Sequence, residues 1–370
     1  MGTTADPTPF YKKLAFNLLS LVLLGGILYV GQGILIPLFF SVLLATLLLP
    51  IVMFLQSWKV PRIIAILLSL LLAMAVIVGI TYFLSRQMVS FFEDIDVIKE
   101  RLAELLKSLQ GWVRENFNIN VREQQEYIQD TKEKVEAEKI VGATFISLTT
   151  FISYLVLLPV YTFLLLYYKE LIKQFFIYVF RNDTEDQIRD VLHQSRLVSQ
   201  SFITGLLIEV VIVFALNSAG FLILGIKYAL FLALVAALLN LVPYIGMIIA
   251  NVFCMLITLV SSENLSDVLW VGVVLALVQF VDNNFLMPFV VGSKVRINAL
   301  ATLIGILVGG ALCGVPGMFL AIPGIAVLKV IFDRVDGLRP YGILVGDNVE
   351  TPRLTFRKLW LRKKRKEGEY

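Results

Sequence analysis

Residues 239–246, with the sequence LNLVPYIG, interrupt a run of more than 30 residues without a charge, from Tyr228 to Ser262. A second charge-free run of more than 30 residues, Ile297–Leu328, is interrupted by residues 314–317, GVPG. A straight helix of either length would measure about 50 Å, whereas the hydrocarbon core of a bilayer is about 30 Å thick. Proline removes a backbone donor and glycine permits a reversal, so we expect each run to bend at its interruption.

Two geometries satisfy these lengths. Either each run is one kinked span, which gives eight spans in all, or each is a helical hairpin that enters and leaves on the same side. The hairpins place Lys294 and Arg296 in the cytoplasm, where basic residues near span ends accumulate. We therefore predict an all-α polytopic membrane protein with six transmembrane helices and two re-entrant helical hairpins, and we keep eight spans as the alternative.

The composition indicates a lipid environment. Hydrophobic residues make up 58% of the chain, charged residues 16%, and the mean hydropathy is +0.83. A water-soluble domain needs more polar surface than this composition provides. The net charge of +4 gives no indication of a nucleic-acid partner.

The chain divides into five segments by the distribution of its charges. Residues 86–139 are charged and helical in pattern, and they interrupt the apolar spans as a polar insertion. Basic residues near span ends predict that both termini are cytoplasmic and that this insertion is extracytoplasmic. The segments are the N-terminal three spans 1–85, the insertion 86–139, the fourth span with an amphipathic segment 140–200, a core 201–332 with two broken-helix units and a basic tail 333–370.

The core 201–332 contains two units with the same order of features. Each has an apolar helix bearing one acid, Glu209 or Asp282, then a Gly-x-Lys loop, then a long run broken by proline and glycine. With hairpins, the first unit starts inside and the second outside. Secondary transporters use such inverted repeats to place a substrate site near the midplane.

Irregular backbone at membrane depth is tolerated where it faces protein or a watery cavity, so we expect the two tips to line a polar cavity. Asp282 is the leading candidate for a functional residue, because placing a carboxylate within the membrane costs free energy and usually serves a function. Asp282 and Glu209 are also candidates for coupling transport to the movement of a proton or an ion. The alternatives are a helix cap for Asp282, an interfacial position for Glu209 and a backbone-satisfying role for Asn240. The candidate substrate-binding residues are Asn240, Pro243, Tyr244, Gly246, Gln279, Asp282, Asn283, Gly314, Pro316 and Gly317.

The motifs at the interruptions of the two charge-free runs resemble those of a known family. Residues 239–246 resemble the Pro-Tyr-Ile-Gly signature of the autoinducer-2 exporter family of bacterial membrane proteins, and the resemblance covers about residues 10–335. It is supported by later motifs: Met287-Pro288, Val290–Gly292, Ile304-Gly305, Gly309-Gly310, 314–317 and Ala321–Pro323. Residues 295–299 depart from the family pattern, because a His-Pro pair is common there.

The resemblance implies a multi-pass protein of the bacterial cytoplasmic (inner) membrane that exports a small polar molecule such as autoinducer-2. It also implies two hairpins, a homo-oligomer (a pentamer) and an elevator-like movement. A sodium (cation)/proton antiporter is the first alternative, and a membrane scaffold acting through residues 86–139 is the second.

The sequence favours none of the usual catalytic arrangements. It has one histidine, His193, two cysteines within apolar runs, and no phosphate-binding Gly-x4-Gly-Lys-Ser/Thr loop. We expect no enzyme activity, no cofactor and no metal, and we expect the partners to be membrane lipids and a small polar solute.

Overall fold

The apolar runs of the chain form long helices. The computed structural model describes residues 9–94, 154–179, 185–243, 245–262, 264–291 and 297–347, and most of 96–111. Much of the predicted insertion, Tyr244, the loop containing Lys294 and the distal basic tail lie outside the described residues. The predicted start of the fourth span, residues 140–153, lies outside them too.

The described residues form helices joined by short turns, with no β-strand among them. Within this part of the chain, one isolated bridge pairs Ile297 with Gly346. The helices are α1 Phe10–Val30, α2 Gln32–Ser57, α3 Arg62–Glu93, α4 Tyr154–Tyr167, α5 Lys169–Val179, α6 Glu185–Ile223, α7 Ala229–Leu239, α8 Ile245–Ser261, α9 Leu265–Val281, a π-helix Asp282–Val291, α10 Ala299–Arg334, a 3-10 turn Asp336–Leu338 and α11 Arg339–Val345.

Five described helices are long and apolar enough to cross a membrane, or six if α4 and α5, which bend by 67°, form one span. One of the five is α10, whose geometry is that of a hairpin. The shorter apolar helix Leu14–Val30 lies within α1. With α1 counted as a span, the spans are α1, α2, α3, α6, α9 and the one that contains α4, and the apolar helices that remain belong to the two predicted hairpins.

Helix α6 differs from the prediction at its start. The sequence predicts that the amphipathic segment ends at residue 200 and that the core segment begins at residue 201, but one helix runs from Glu185 to Ile223. No proline interrupts this stretch, so the polar residues 185–200 continue the same helix beyond its apolar part.

The first charge-free run folds back as a hairpin of α7 and α8. The Cys254 thiol lies 3.6 Å from the carbonyl oxygen of Leu232, and the rings of Phe231 and Phe253 are 6.3 Å apart. Nearer the tip, Gly246 packs directly on the carbonyl of Leu239. Leu232 contacts Cys254, whereas Leu239, further along α7, contacts Gly246, nearer the start of α8. The two helices are therefore antiparallel.

The two ends of this hairpin lie on the same side of the molecule. Lys227, before α7, forms an ion pair of 2.7 Å with Asp94, at the end of α3. Ser262, after α8, accepts a hydrogen bond of 3.3 Å from Arg101, one or two turns further along the same segment. A single kinked span would have placed Lys227 and Ser262 on opposite sides.

Helix α10 is also a hairpin, made of two helical arms that meet at a kink. It leaves helical geometry at Cys313 and Gly314, and Gly314 has a φ of 62°, which glycine adopts without strain. Gly309 and Gly317 then face each other so closely that a methyl group on either would meet the carbonyl oxygen of the other.

The ends of the second hairpin meet at the opposite end of α6. Asn298, before α10, donates hydrogen bonds of 2.6 and 3.1 Å to the carbonyls of Leu344 and Gly346. Arg334, at the end of α10, bonds Asp190 at 2.6 Å near the start of α6. The first hairpin begins just after α6 ends, so the two hairpins enter from opposite sides, as an inverted repeat requires.

Candidate functional site

A cavity of about 300 Å³ lies where the tip of the first hairpin meets α6, α9 and the second hairpin. Five of its polar side chains are joined by hydrogen bonds, a threonine comes from the second hairpin, and apolar and methionine side chains form the rest. Its lining residues are Phe202, Leu206, Glu209, Asn240, Leu241, Pro243, Met247, Gln279, Asp282, Asn283, Met287, Thr302, Phe319 and Ile322.

Glu209 reaches the cavity from α6. Phe202, Leu206 and Glu209 follow one another at a spacing of three or four residues, so they share one face of the helix. The side chain of Glu209 is 6% exposed, and its Oε1 accepts a hydrogen bond of 3.3 Å from Asn240 Nδ2.

Asp282 enters the cavity at the point where α9 changes to a π-helix. It is 3% exposed, and its Oδ2 accepts hydrogen bonds from Asn240 at 3.0 Å and Gln279 at 3.3 Å. Gln279 also donates to Asn283 Oδ1 at 3.0 Å. A π-helical segment widens the backbone and is frequent at functional sites, and here it begins at the carboxylate itself.

Asn240 joins the two acids. It follows the last residue of α7, at the start of the irregular tip, and its single Nδ2 lies within hydrogen-bond distance of both Glu209 and Asp282. An amide nitrogen carries two hydrogens, so one Asn240 can serve both carboxylates. The break in the first charge-free run therefore places a donor between acids that come from two different helices.

Each carboxylate keeps one oxygen free. Glu209 Oε2 and Asp282 Oδ1 are buried and have no hydrogen-bond partner among the described residues. The described lining of the cavity contains no lysine, arginine or histidine to balance the two acids. Buried oxygens without partners are costly, so this wall is suited to a ligand that donates hydrogen bonds, to a cation or to a proton.

The structure brings half of the predicted binding residues to this cavity. They are Asn240, Pro243, Gln279, Asp282 and Asn283, together with Glu209, which the sequence marks as a coupling candidate. Gly246 instead packs against Leu239 and supports the turn from behind. Tyr244 lies outside the described residues.

The tip of the second hairpin does not line the cavity. Gly314, Pro316 and Gly317 are absent from its walls, and the second hairpin contributes side chains of its two arms instead. The two arms pack against each other at Gly309 and Gly317, and Gly314, beyond this contact, is exposed at the surface of the protein instead.

The structure adds residues that the sequence analysis did not single out. Thr302, Met247, Met287 and Phe319 line the cavity. Phe202 and Leu206 carried a signal, since they lie on the helical face of Glu209, and Met287 belongs to a motif of the family resemblance. In the part of the chain that is described, no group of three His, Cys, Asp or Glu side chains could hold a metal ion.

Comparison with known proteins identifies the family. The sequence profile of the AI-2E family transporter matches residues 18–337. The "Putative permease PerM" of Escherichia coli is 26% identical over 349 residues, which cover 87% of this chain and 93% of that protein. The "Putative transport protein MT0215" of Mycobacterium tuberculosis is 25% identical over 333 residues, 88% of this chain and 89% of that protein.

A shorter match reaches higher identity. The "Putative transport protein YrrI" of Bacillus subtilis is 32% identical over 152 residues, which span 41% of this chain and only 39% of that protein. The full-length matches and the profile extend over the spans, both hairpins and the cavity described above. The chain therefore belongs to the AI-2E transporter family and is a multi-pass membrane protein of a family of transport proteins.

Proposed function

We propose that this protein carries a small polar solute across the membrane through the cavity at Glu209, Asn240 and Asp282. The proposal rests on the two buried carboxylates of Glu209 and Asp282. Asn240 of the hairpin tip donates a hydrogen bond to each, and one oxygen of each has no hydrogen-bond partner among the described residues. Such a wall lowers the cost of moving a solute with hydroxyl or ammonium groups through the bilayer, because the free oxygens replace water as acceptors.

The size and shape of the cavity support a small solute. A volume of about 300 Å³ lies at the lower end of the range for ligand pockets. Its apolar wall, with Phe202, Met247 and Phe319, would contact the carbon skeleton of the solute. Autoinducer-2, a compact hydroxylated molecule, fits this description, and export of it is the specific activity that we propose.

Two hairpins that enter from opposite sides support an alternating-access mechanism. The cavity lies between the first hairpin and the arms of the second, so a relative movement of the two units would open it to one side and then to the other. We propose an elevator-like movement within a homo-oligomer, a pentamer, in the bacterial inner membrane with both termini cytoplasmic.

The test is solute efflux from proteoliposomes loaded with autoinducer-2. We expect Asp282→Asn and Glu209→Gln each to lower the efflux rate about tenfold or more, since a hydrogen bond to a charged group contributes about 1.5–3 kcal/mol. Glu104→Gln is the control, because Glu104 is exposed and lies away from the cavity. Efflux that is unchanged in both cavity variants, with normal folding, would overturn the proposal.

A cation/proton antiporter is the second candidate, and the two acids without a cation among the described lining residues favour it. Sodium and protons would then compete for the free oxygens of Glu209 and Asp282. A pH-sensitive dye inside the vesicles distinguishes the candidates. Sodium-dependent proton movement that Asp282→Asn abolishes identifies an antiporter, whereas autoinducer-2 efflux without sodium-dependent proton movement identifies the exporter.

A further inference from the structure

A second, larger depression lies far from the carboxylates, at the end of the molecule where α6 begins. This α2–α5 groove has a volume of about 760 Å³. Its apolar wall comes from α2 and α4, and α5 and the first turns of α6 supply charged side chains. The residues that matter here are Val42, Leu49, Met53, Lys169, Lys173 and Arg196.

The charges in the groove are unbalanced in favour of cations. Asp190, at its edge, is held by Arg334 at 2.6 Å, and Arg189 is held by Glu185 at 2.5 Å. This leaves three further cations in the groove, Lys169, Lys173 and Arg196. Glu170 is the one acid beside them among the described lining residues. Three cations against one acid leave a net positive charge in the groove, although Glu170 acts on Lys169 more strongly than Arg62 or Arg196 does.

Arg196 has an unused donor at the groove. Its Nε is buried without a hydrogen-bond partner among the described residues, and its Nη2 lies 4.0 Å from the sulfur of Met53, which is at most a weak contact. An arginine with a free donor beside two lysines matches the fork geometry and charge of a phosphate group.

Helix α5 shows that the groove lies at the membrane surface. After a bend of 67° from α4, it presents Leu171, Phe175 and Tyr178 outward, at 63%, 58% and 73% exposed. Its other face, with Lys169 and Lys173, points into the groove. An apolar face outward and a cationic face inward is the arrangement of an interfacial helix.

We propose that the α2–α5 groove binds an anionic phospholipid. The phosphate is held by Lys169, Lys173 and Arg196, and an acyl chain lies along Val42 and Leu49 of α2. Basic pockets between transmembrane helices bind anionic headgroups in this way. The basic C-terminal tail of the chain is a poor occupant, because its cations, Arg362–Lys366, would be repelled by those of the groove.

The test is a lipid titration of the purified full-length protein in detergent, with bound lipid counted by native mass spectrometry. Phosphatidylglycerol and phosphatidylcholine with the same acyl chains are compared. We expect the combined variant Lys169→Gln, Lys173→Gln, Arg196→Gln to bind phosphatidylglycerol at least about tenfold more weakly, because each basic residue near an anionic headgroup contributes about fivefold. Phosphatidylcholine should bind weakly to both proteins.

A charge-matched control removes three cations from the other side of the molecule: Arg86→Gln, Lys99→Gln and Lys107→Gln. This control should bind phosphatidylglycerol as the unmodified protein does. Val42→Trp fills the apolar wall at a side chain that is already 39% exposed, so we expect it to fold and to lose lipid as well.

Three results would overturn the proposal. They are equal binding of phosphatidylglycerol after the three groove cations are neutralised, equal affinity for phosphatidylcholine, and displacement of the lipid by inorganic phosphate alone. A change of oligomeric state in Val42→Trp, with no lipid retained by the unmodified protein, would show instead that a second copy covers the groove.

Discussion

Among single side chains, Asn240 has the most specific role, because its one amide nitrogen donates hydrogen bonds to two carboxylates from different helices. We predict that Asn240→Leu, which keeps the size of the side chain, leaves Glu209 and Asp282 with fewer donors. The loss of donors to buried charged groups should cost about 1–3 kcal/mol in the free energy of unfolding and lower solute efflux. Thermal unfolding and efflux in proteoliposomes measure the two effects.

The control for this prediction is Asn284→Leu. Asn284 is an exposed asparagine only two residues beyond Asp282, and its amide donates to the carbonyl of Phe280 in its own helix, at 2.8 Å. If Asn240→Leu were as stable and as active as this control, the bridge between the acids would have no functional role.

Asp94 provides a prediction for acidic pH, outside the membrane spans. The pKa of its carboxyl group lies below the ordinary value of 3.8, first because Lys227 donates a hydrogen bond and then because Tyr228 does. A lowered pKa in the folded state stabilises the protein above the ordinary pKa, and the contribution is lost as the pH falls through the lowered value. The first hairpin should therefore loosen from α3 only when the pH falls below the ordinary pKa of 3.8 and through the lowered value.

Lys227→Met tests this linkage, because it removes the main cause of the lowered pKa. We expect the difference in unfolding temperature between pH 6 and pH 3 to become smaller in this variant. Lys99→Met is the control, since Lys99 pairs with Asp96 in a fully exposed position on the same segment. An acid sensitivity that is identical in the two variants would contradict the prediction.

Among individual helices, the first hairpin depends on a close approach at its tip. A methyl group on Gly246 would overlap the carbonyl of Leu239, which belongs to the backbone and cannot rotate away. We predict that Gly246→Ala destabilises the protein by about 1–3 kcal/mol, which is the usual cost of overpacking. The thermal unfolding temperature, with efflux as a second measurement, reports the change.

Gly79→Ala is the matched control, because Gly79 lies within α3 and has nothing within 4 Å of an added methyl group. There the same substitution should be neutral or slightly stabilising, by up to about 1 kcal/mol, because alanine favours a helix. A destabilisation of similar size in both variants would show that the tip is not tightly packed.

The helices and hairpins could be predicted from the sequence because their signals are local. The length of a charge-free run and the position of its proline and glycine fix a bend, as at residues 239–246 and at Gly314. The start of α6 at Glu185 was missed, since a change from apolar to polar residues does not end a helix. Likewise, no local pattern indicated that the two arms of the second hairpin meet at Gly309 and Gly317, because this contact joins residues across the hairpin.

The candidate site was predictable in its polar part and less so in its apolar part. Asp282, Glu209 and Asn240 were conspicuous because polar groups are rare within apolar helices. That one amide joins both acids depends on how α6, α7 and α9 pack, which no local pattern specifies. Apolar residues such as Phe319 and Met247 carried no signal, because a cavity wall and a packed core use the same residue types.

In the complete fold, two units enter from opposite sides and enclose the acids between them. This arrangement makes alternating access possible, and it depends on Lys227 and Ser262 lying on one side while residues 298 and 346 lie on the other. The profile of the AI-2E family extends across both units.

The most direct test is labelling of single cysteines by an impermeant maleimide in sealed vesicles of known orientation. The background carries Cys254→Ser and Cys313→Ser, and its efflux is checked first. We predict that Lys227→Cys and Ser262→Cys react from one face, whereas Ala299→Cys and Asp347→Cys react from the other. Reaction of Lys227→Cys and Ser262→Cys from opposite faces would show a continuous kinked span and would contradict the two-hairpin transporter.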